Sequence, residues 1–280
     1  MTGILTSPHN PRVRAAAALR DRRGRDAAGR IVIDGGREVL RALEAGLPIE
    51  TAFVAESGCR TAACDAALAL ARRRRVEIVT LGERAFERVA FGDRADGIVA
   101  VGPTPETSLD RLEVPADPLV VVLEGVEKPG NLGAVLRSID GAGADALIVT
   151  GHGVDLWNPN AIRASLGTIF RVPVAAASAP EALAWLRARS IRVIAARVDA
   201  QLEYTAIDLR GPLAIALGSE TSGLSDTFGG DAAEPVRLPM HGAADSLNVS
   251  VAAAVLLYEA RRQRGAPASR SAGRDHANPT

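Results

Sequence analysis

The sequence predicts an α/β protein built on a parallel sheet, preceded by a smaller α/β unit. Three observations carry this. Short apolar runs alternate with helical stretches along most of the chain. Residues 119–123 (Leu-Val-Val-Val-Leu) are apolar at every position, as in a strand buried on both faces. Three glycine- or proline-bearing blocks follow strands in the second half, where open α/β sheets bind ligands. With 280 residues, 47% hydrophobic and 24% charged, the chain can bury a core of that size.

Ser7-Pro8-His9-Asn10-Pro11 is a turn that can open a helix over residues 11–23. A strand over 30–34 ends at Gly35. The next helix, 37–45, is stopped by Gly46. A strand at 49–55, a helix at 61–74, a strand at 76–80, a helix at 83–90 and a strand at 98–101 complete a unit assigned to residues 1–105. Three prolines within 102–117 interrupt the alternation, so residues 106–117 read as a linker. The second unit, 118–264, reads as strand 119–123, helix 133–142, strand 146–150, helix 160–166, strand 172–175 and helix 180–190. Strands at 193–196, 213–217 and 236–238 follow. A closing helix over 247–264 places Leu247, Val251, Val255 and Tyr258 at helical spacing. Residues 265–280, rich in Ala, Ser, Gly and Pro, are expected to form a disordered tail.

The formal net charge is zero but unevenly spread. Residues 1–41 hold nine arginines against four acids. Arg12, Arg14, Arg22, Arg23 and Arg25 are the candidate RNA phosphate contacts of that stretch. The run Arg72-Arg73-Arg74-Arg75 reads first as a solvated helix end, where cations face the C-terminal dipole. Lys128 is the only lysine, and GC-rich coding accounts for the excess of arginine and alanine. Cys59 and Cys64 match no zinc or redox spacing and have no histidine cluster nearby, so neither a metal site nor a structural disulfide is expected. No apolar stretch reaches membrane-spanning length, and the first residues lack the apolar core of a signal peptide. The expectation is a cytoplasmic, metal-free protein that does not enter membranes.

The first of the three blocks is Asn131-Leu132-Gly133-Ala134-Val135-Leu136-Arg137. Asn131 stands where an N-cap would stand, and Arg137 lies about 1.7 turns further on. Taken alone, Asn131 reads as a cap and Arg137 as a surface or interface residue. The loop before them lacks the Gly-x-Gly-x-x-Gly dinucleotide pattern. The second block is Gly218-Ser219-Glu220-Thr221-Ser222-Gly223-Leu224. Gly218 can let the backbone approach a ligand. A ligand role and a plain turn stay equally open for Glu220. The third block is Leu238-Pro239-Met240, then Ser246-Leu247-Asn248-Val249-Ser250. Ser246 reads as an N-cap whose helix start suits an electron-rich ligand. Asn248, a poor helix former in a first turn, reads as functional.

Together and in this order, the three blocks resemble the three motifs of the SpoU (TrmH-like) RNA 2′-O-ribose methyltransferases of the SPOUT class. The resemblance covers residues 118 to about 264 and includes Asn158-Pro159-Asn160-Ala161-Ile162-Arg163. More loosely, residues 7–14 and 31–42 resemble the L30e-like substrate-binding domain joined to many such enzymes. Asp34 stands where a Glu is more usual, and Thr221 replaces a common Gly. The resemblance implies a deep trefoil knot, a homodimer with the active site at its interface, and S-adenosylmethionine bound in the knot. By motif, Gly218, Leu238, Met240 and Leu247 would meet the cofactor. Asn131, Arg137, Glu220, Ser246 and Asn248 would form the reaction centre. The implied reaction is methyl transfer to a ribose 2′-hydroxyl, with ribosomal RNA favoured over tRNA as substrate. The family proposal makes Arg137 the group that helps the hydroxyl lose its proton. Because a guanidinium keeps its own proton, clamping a phosphate and stabilising charge on the oxygen is the easier role. The competing readings are a non-catalytic RNA-binding or ribosome-assembly factor and an ordinary nucleotide-cofactor enzyme.

Overall fold

The protein is described from a computed structural model covering residues 3–91, 96–151 and 154–265. The expected tail lies outside these residues beyond Gly265. Two sheets organise the chain. The first uses β1 (Arg30–Asp34), β2 (Thr51–Ala55), β3 (Glu77–Leu81) and β4 (Ile98–Pro103), in the order β1-β4-β2-β3. The second strand pairs parallel with β3, and β4 runs antiparallel to both of its neighbours. The period-2 alternation of strands sorts its side chains. Ile31, Ile33, Ala52, Val54, Ile98 and Ala100 face α3 (Gly36–Glu44) and α4 (Ala62–Arg73). Val32, Phe53, Val79 and Val99 face α1 (Pro11–Ala18) and α5 (Glu83–Val89).

The helix expected over residues 11–23 is two helices. Asn10 caps α1, its side chain accepting from the Arg12 N–H, and α2 (Arg22–Ala28) follows after a turn. Two packing facts impose the break. At Gly24 a Cβ would sit 2.0 Å from the Ala18 carbonyl oxygen, so only glycine lets α2 approach so closely. The buried Arg25 guanidinium donates to the Leu19 and Arg20 carbonyls at 3.0 and 2.8 Å, satisfying groups that a continuous helix would have used internally.

A second correction concerns the cysteines: Cys59 and Cys64 are joined by a disulfide. The Thr61 side chain caps α4 by accepting from the Cys64 N–H. This turn folds the chain back until the two Cα atoms are 5.4 Å apart, within disulfide reach. Spacing motifs carry no information about such a local fold-back.

The second sheet is parallel throughout, with the order β10-β8-β9-β5-β6-β7. Its strands are β5 (Leu119–Glu124), β6 (Ala146–Thr150), β7 (Val174–Ala177), β8 (Arg192–Ala196), β9 (Leu213–Leu217) and β10 (Glu234–Val236). Helices α6 (Pro129–Ala142), α7 (Pro159–Ala164) and α9 (Val249–Gln263) cover one face, and α8 (Ala179–Ala188) the other. All of β5, β6 and β9 is buried, which accounts for their unbroken apolar runs. A capping box between Ser178 and Glu181 starts α8. The last strand ends two residues before the expected Leu238, because Arg237 leaves β8 and pairs with the 202–204 segment. Pro235 is tolerated in β10 because that strand is an edge.

The two sheets share one core. Ile31, Ile33, Val39 and Leu43 belong to the same buried cluster as Leu119, Leu136, Ile162, Leu256 and Leu257. Each such side chain contributes about 1.5–3 kcal/mol on burial. Polar ties cross the same boundary. Arg25 pairs with Asp155, and Arg41 donates to the Leu166 carbonyl at 2.6 Å. At Gly167 a Cβ would meet Glu38 and Arg41 at 3.1–3.2 Å. Beside this seam Asp34 is buried, accepting from the Phe91 N–H while its second oxygen has no partner. Burial pushes the Asp34 carboxyl up to about 6, against the opposing pull of the Phe91 N–H and Arg163. No helix among the described residues is long and apolar enough to cross a membrane.

Candidate active site

A cavity of about 450 Å³ opens at the C-terminal ends of β8, β9 and β10, where open parallel sheets bind ligands. Its floor is apolar: Leu217, Leu224, Val236 and Val249. The four residues expected to meet a cofactor, Gly218, Leu238, Met240 and Leu247, all line it. So do Glu220 and Ser246. Its size falls within the roughly 300–1,000 Å³ of small-molecule sites.

The loop after β9 is shaped by its glycines and its anchors. At Gly218 a Cβ would lie 2.0–2.3 Å from the backbone of Gly223 and Leu224. That glycine is needed because the loop closes on itself, rather than for approach to a ligand. Gly223 takes φ +66°, a left-handed turn residue, and its N–H donates to the Ser219 carbonyl at 3.0 Å. The far end of the loop is tied to β5. The buried Glu124 carboxylate accepts from the Ser225 N–H at 2.7 Å and from its hydroxyl at 2.8 Å.

At the rim, side chains from all three blocks meet on Glu220. Asn131 Nδ2 donates to Glu220 Oε1 at 3.1 Å, and Asn248 Nδ2 donates to the same oxygen at 2.5 Å. Asn248 Nδ2 also reaches Asn131 Oδ1 at 3.1 Å. Lys128 Nζ contacts the other carboxylate oxygen, Oε2, at 3.2 Å. The Lys128 ammonium, with the Asn131 amide and the Val249 N–H, holds the Glu220 carboxyl below the usual carboxylate range.

Two sequence expectations about caps are corrected here. The helix α6 begins at Pro129, with Lys128 as its N-cap, so Asn131 lies inside the first turn and its side chain is free to cross to Glu220. Proline at the first helical position needs no N–H and fixes that earlier start. The cap of α9 is Asn248, whose Oδ1 accepts from the Ser250 N–H at 3.0 Å and from its hydroxyl at 2.6 Å. Ser246 is exposed on the loop before the cap. Asn248 therefore has a structural role after all, and its amide group performs a second one.

Arg137 is not gathered into this network. Six residues beyond Asn131 on α6, it points about 120° away around the helix axis. It is exposed and makes no hydrogen bond or ion pair with the described residues. It shares a face with Ala134 and Gly141. At Gly141 that face meets Tyr258 of α9, which is 56% exposed, and Val251, about two turns earlier on α9, is 47% exposed.

The arginines expected to contact RNA divide. Arg14 and Arg23 are exposed. Arg12 and Arg22 are exposed but paired, with Glu77 and Asp26 respectively. Arg25 is 3% exposed and bound to Asp155 and two carbonyls, so the structure removes it as a contact. Its position on the inner face of a seven-residue helix was hidden by the break after α1. Sequence reading also missed Arg197, Val198 and Asp199, which line the cavity after β8. Their only signal is their place at a strand end. Glu124, at the end of an otherwise apolar strand, carried a clearer one.

Residues 118–258 match the SpoU rRNA Methylase family, and residues 10–100 match the MRM3-like substrate binding domain. Over 254 residues the chain is 33% identical to the 23S rRNA (uridine(2479)-2′-O)-methyltransferase of Streptomyces viridochromogenes, spanning 89% of this chain and 88% of that protein. A crystal structure of an RNA 2′-O ribose methyltransferase aligns with a TM-score of 0.81 at 42% identity, covering 93% of this chain and 99% of the other. The SpoU methyltransferase AviRb from Streptomyces viridochromogenes, in complex with AdoMet, aligns with a TM-score of 0.83 at 31% identity, covering 91% and 98%. With its fold, its three converging blocks and these matches, the chain belongs to the SpoU rRNA methylase family.

Proposed function

We propose that the protein is an S-adenosylmethionine-dependent methyltransferase acting on a ribose 2′-hydroxyl of ribosomal RNA, in 23S RNA as its relatives' names state. The observation that carries this reading is the meeting of Asn131, Glu220 and Asn248 at the rim of the cavity lined by Gly218, Leu238, Met240 and Leu247.

The cavity fits the cofactor chemically. Its apolar floor suits an adenine and a thioether-like chain, and the backbone around Gly218, Leu238, Met240 and Leu247 offers polar groups along the wall. When bound, S-adenosylmethionine supplies a methyl group activated by its sulfonium. The chain's own residues then have separable tasks. Asn131, Lys128 and Asn248 hold Glu220 and so fix the rim, joining the starts of α6 and α9 to the loop after β9. Ser246 lines the cavity close to the cap of α9. Arg137 clamps the phosphate beside the target ribose and stabilises negative charge on the 2′-oxygen as it loses its proton.

Arg137 faces away from this rim within one subunit, and that supports a homodimer in which it completes the partner's site. The exposed face of Val251 and Tyr258 beside it is the surface such a dimer would cover. The strand order, with β9 inserted between β8 and β5 before the chain returns to α9, is compatible with the family's knot. Residues 1–105 serve as the RNA-gripping unit, with 106–117 as the connection and 118–264 as the methyltransferase unit. Arg14 and Arg23 are its leading phosphate contacts, with Arg12 and Arg22 reached by exchange of their ion pairs. Its substrate would keep such an enzyme in the cytoplasm.

The test is methyl incorporation from labelled S-adenosylmethionine into 23S RNA, with the modified position mapped to a ribose 2′-oxygen. No incorporation into ribosomal RNA or ribosomal particles, or incorporation on a base, ends the reading. Incorporation into tRNA alone reassigns the substrate.

A further inference from the structure

Of 33 lysines and arginines in this chain, only Lys128 is a lysine, and it stands at the node of the rim network. Coding bias explains arginine elsewhere but gives no reason for this exception. Local stability gives none either. Lys128 caps α6, and a cation at a helix N-terminus has the wrong sign for the helix dipole.

Arginine in this protein can take both oxygens of a carboxylate, although pairs such as Arg30 with Glu50 and Arg192 with Glu234 use a single contact. Arg12 with Glu77, Arg197 with Asp199, Arg210 with Asp208 and Arg262 with Glu259 each use two nitrogens to engage both carboxylate oxygens. The planar guanidinium fork favours that geometry. At position 128 such a fork would compete for Glu220 Oε1, the oxygen that accepts from both Asn131 and Asn248. The lysine ammonium makes one contact, to Oε2, and leaves Oε1 to the asparagines. An ammonium has three donors, so two remain. The Lys128 side chain is 75% exposed, so those donors are open to solvent.

We propose that Lys128 is a phosphate-contact residue of the RNA site. Anchored to Glu220 through one N–H, it presents the other two to a backbone phosphate next to the target nucleotide. Lysine is required because arginine would capture Glu220. This rests on the functional reading above and adds a residue and a ligand group to it.

The test compares full-length parent, Lys128→Met and Lys128→Arg, with a 23S RNA fragment that the parent methylates. With Lys128→Met, kcat/KM for RNA is expected to fall about tenfold, the worth of one charge-assisted hydrogen bond. The salt dependence of RNA binding is expected to lose about one phosphate contact. The affinity for S-adenosylmethionine, by calorimetry, is expected to stay within about twofold because Glu220 keeps both asparagine donors and Lys128 itself does not line the cavity. With Lys128→Arg, the salt dependence is retained while kcat falls about tenfold, as the network at Glu220 is broken. Parent-like kcat/KM in Lys128→Met, or full activity in Lys128→Arg, overturns the proposal. A parent that methylates no RNA overturns the functional reading instead, and this proposal with it.

Discussion

Asn248 donates to Asn131 across 117 positions of sequence, at 3.1 Å, while its carbonyl oxygen caps α9. One amide thus serves the helix with one atom and the rim with the other. The two roles separate by substitution. Asn248→Ala is expected to cost about 1 kcal/mol of stability from the lost cap and to reduce methylation sharply. Asn248→Ser keeps a capping oxygen, so its melting temperature should match the parent while turnover still falls. Thermal denaturation paired with methyl-transfer assays checks both; an active Asn248→Ser variant removes the rim role.

Arg137 is exposed and unpaired among the described residues, so its removal disturbs no packing. Arg137→Ala is expected to abolish methylation with no loss of stability and with S-adenosylmethionine affinity preserved. Calorimetry and a labelled-methyl assay on one preparation decide this. Near-parent turnover would strip Arg137 of its assigned task.

Arg25 and Arg23 are near neighbours in sequence with opposite expected outcomes. Arg25→Ala leaves Asp155 without its guanidinium partner and two carbonyls without donors, and should destabilise the fold by about 3–5 kcal/mol. Arg23→Ala and Arg14→Ala should leave the melting temperature unchanged and weaken RNA binding, each lowering the salt slope by about one. Unaltered RNA affinity in the Arg14, Arg23 double variant at matched salt would move the RNA-gripping surface elsewhere.

Asp34 makes stability pH-dependent. Its folded pKa is raised, from 3.8 to about 6, so its favourable contribution is complete below about 3.8 and lost as pH rises through about 6. The shift in Glu38, raised chiefly by burial, acts in the same direction. The parent should therefore gain stability, from these groups, as pH falls from 7 to 5. Asp34→Asn keeps an acceptor for the Phe91 N–H and removes the desolvated charge. It should raise stability at pH 7 by roughly 1–3 kcal/mol and flatten the profile between pH 4 and 6. Melting curves across that range are the check; an unchanged slope in Asp34→Asn assigns the dependence to other groups.

Much of the second sheet was legible because a doubly covered strand writes its burial into every position, as in residues 119–123 and 213–217. Of the cavity wall, Gly218, Leu238, Met240 and Leu247 were legible through the family resemblance, whereas Arg197, Val198 and Asp199, at a strand end outside its motifs, were not. What escaped was tertiary. No periodicity shows that Gly24 abuts Ala18, that Arg25 turns inward, or that a fold-back joins Cys59 to Cys64. Caps were misplaced by two or three residues, at Asn131 and Ser246, because more than one nearby residue could serve and packing made the choice. Lys128 was visible as an exception in composition, but its meaning depended on finding Glu220 beside it.

The apolar cluster that runs unbroken from Ile31 to Leu257 has a mechanical corollary. Two halves welded in this way cannot swing on a tether to suit their substrate. On the proposed function, an RNA that met Arg14 and Arg23 while offering a sugar to the cavity would have to hold those two features at a spacing dictated by the protein. Shape in the nucleic acid, more than the letters of its sequence, then becomes the first criterion of selection.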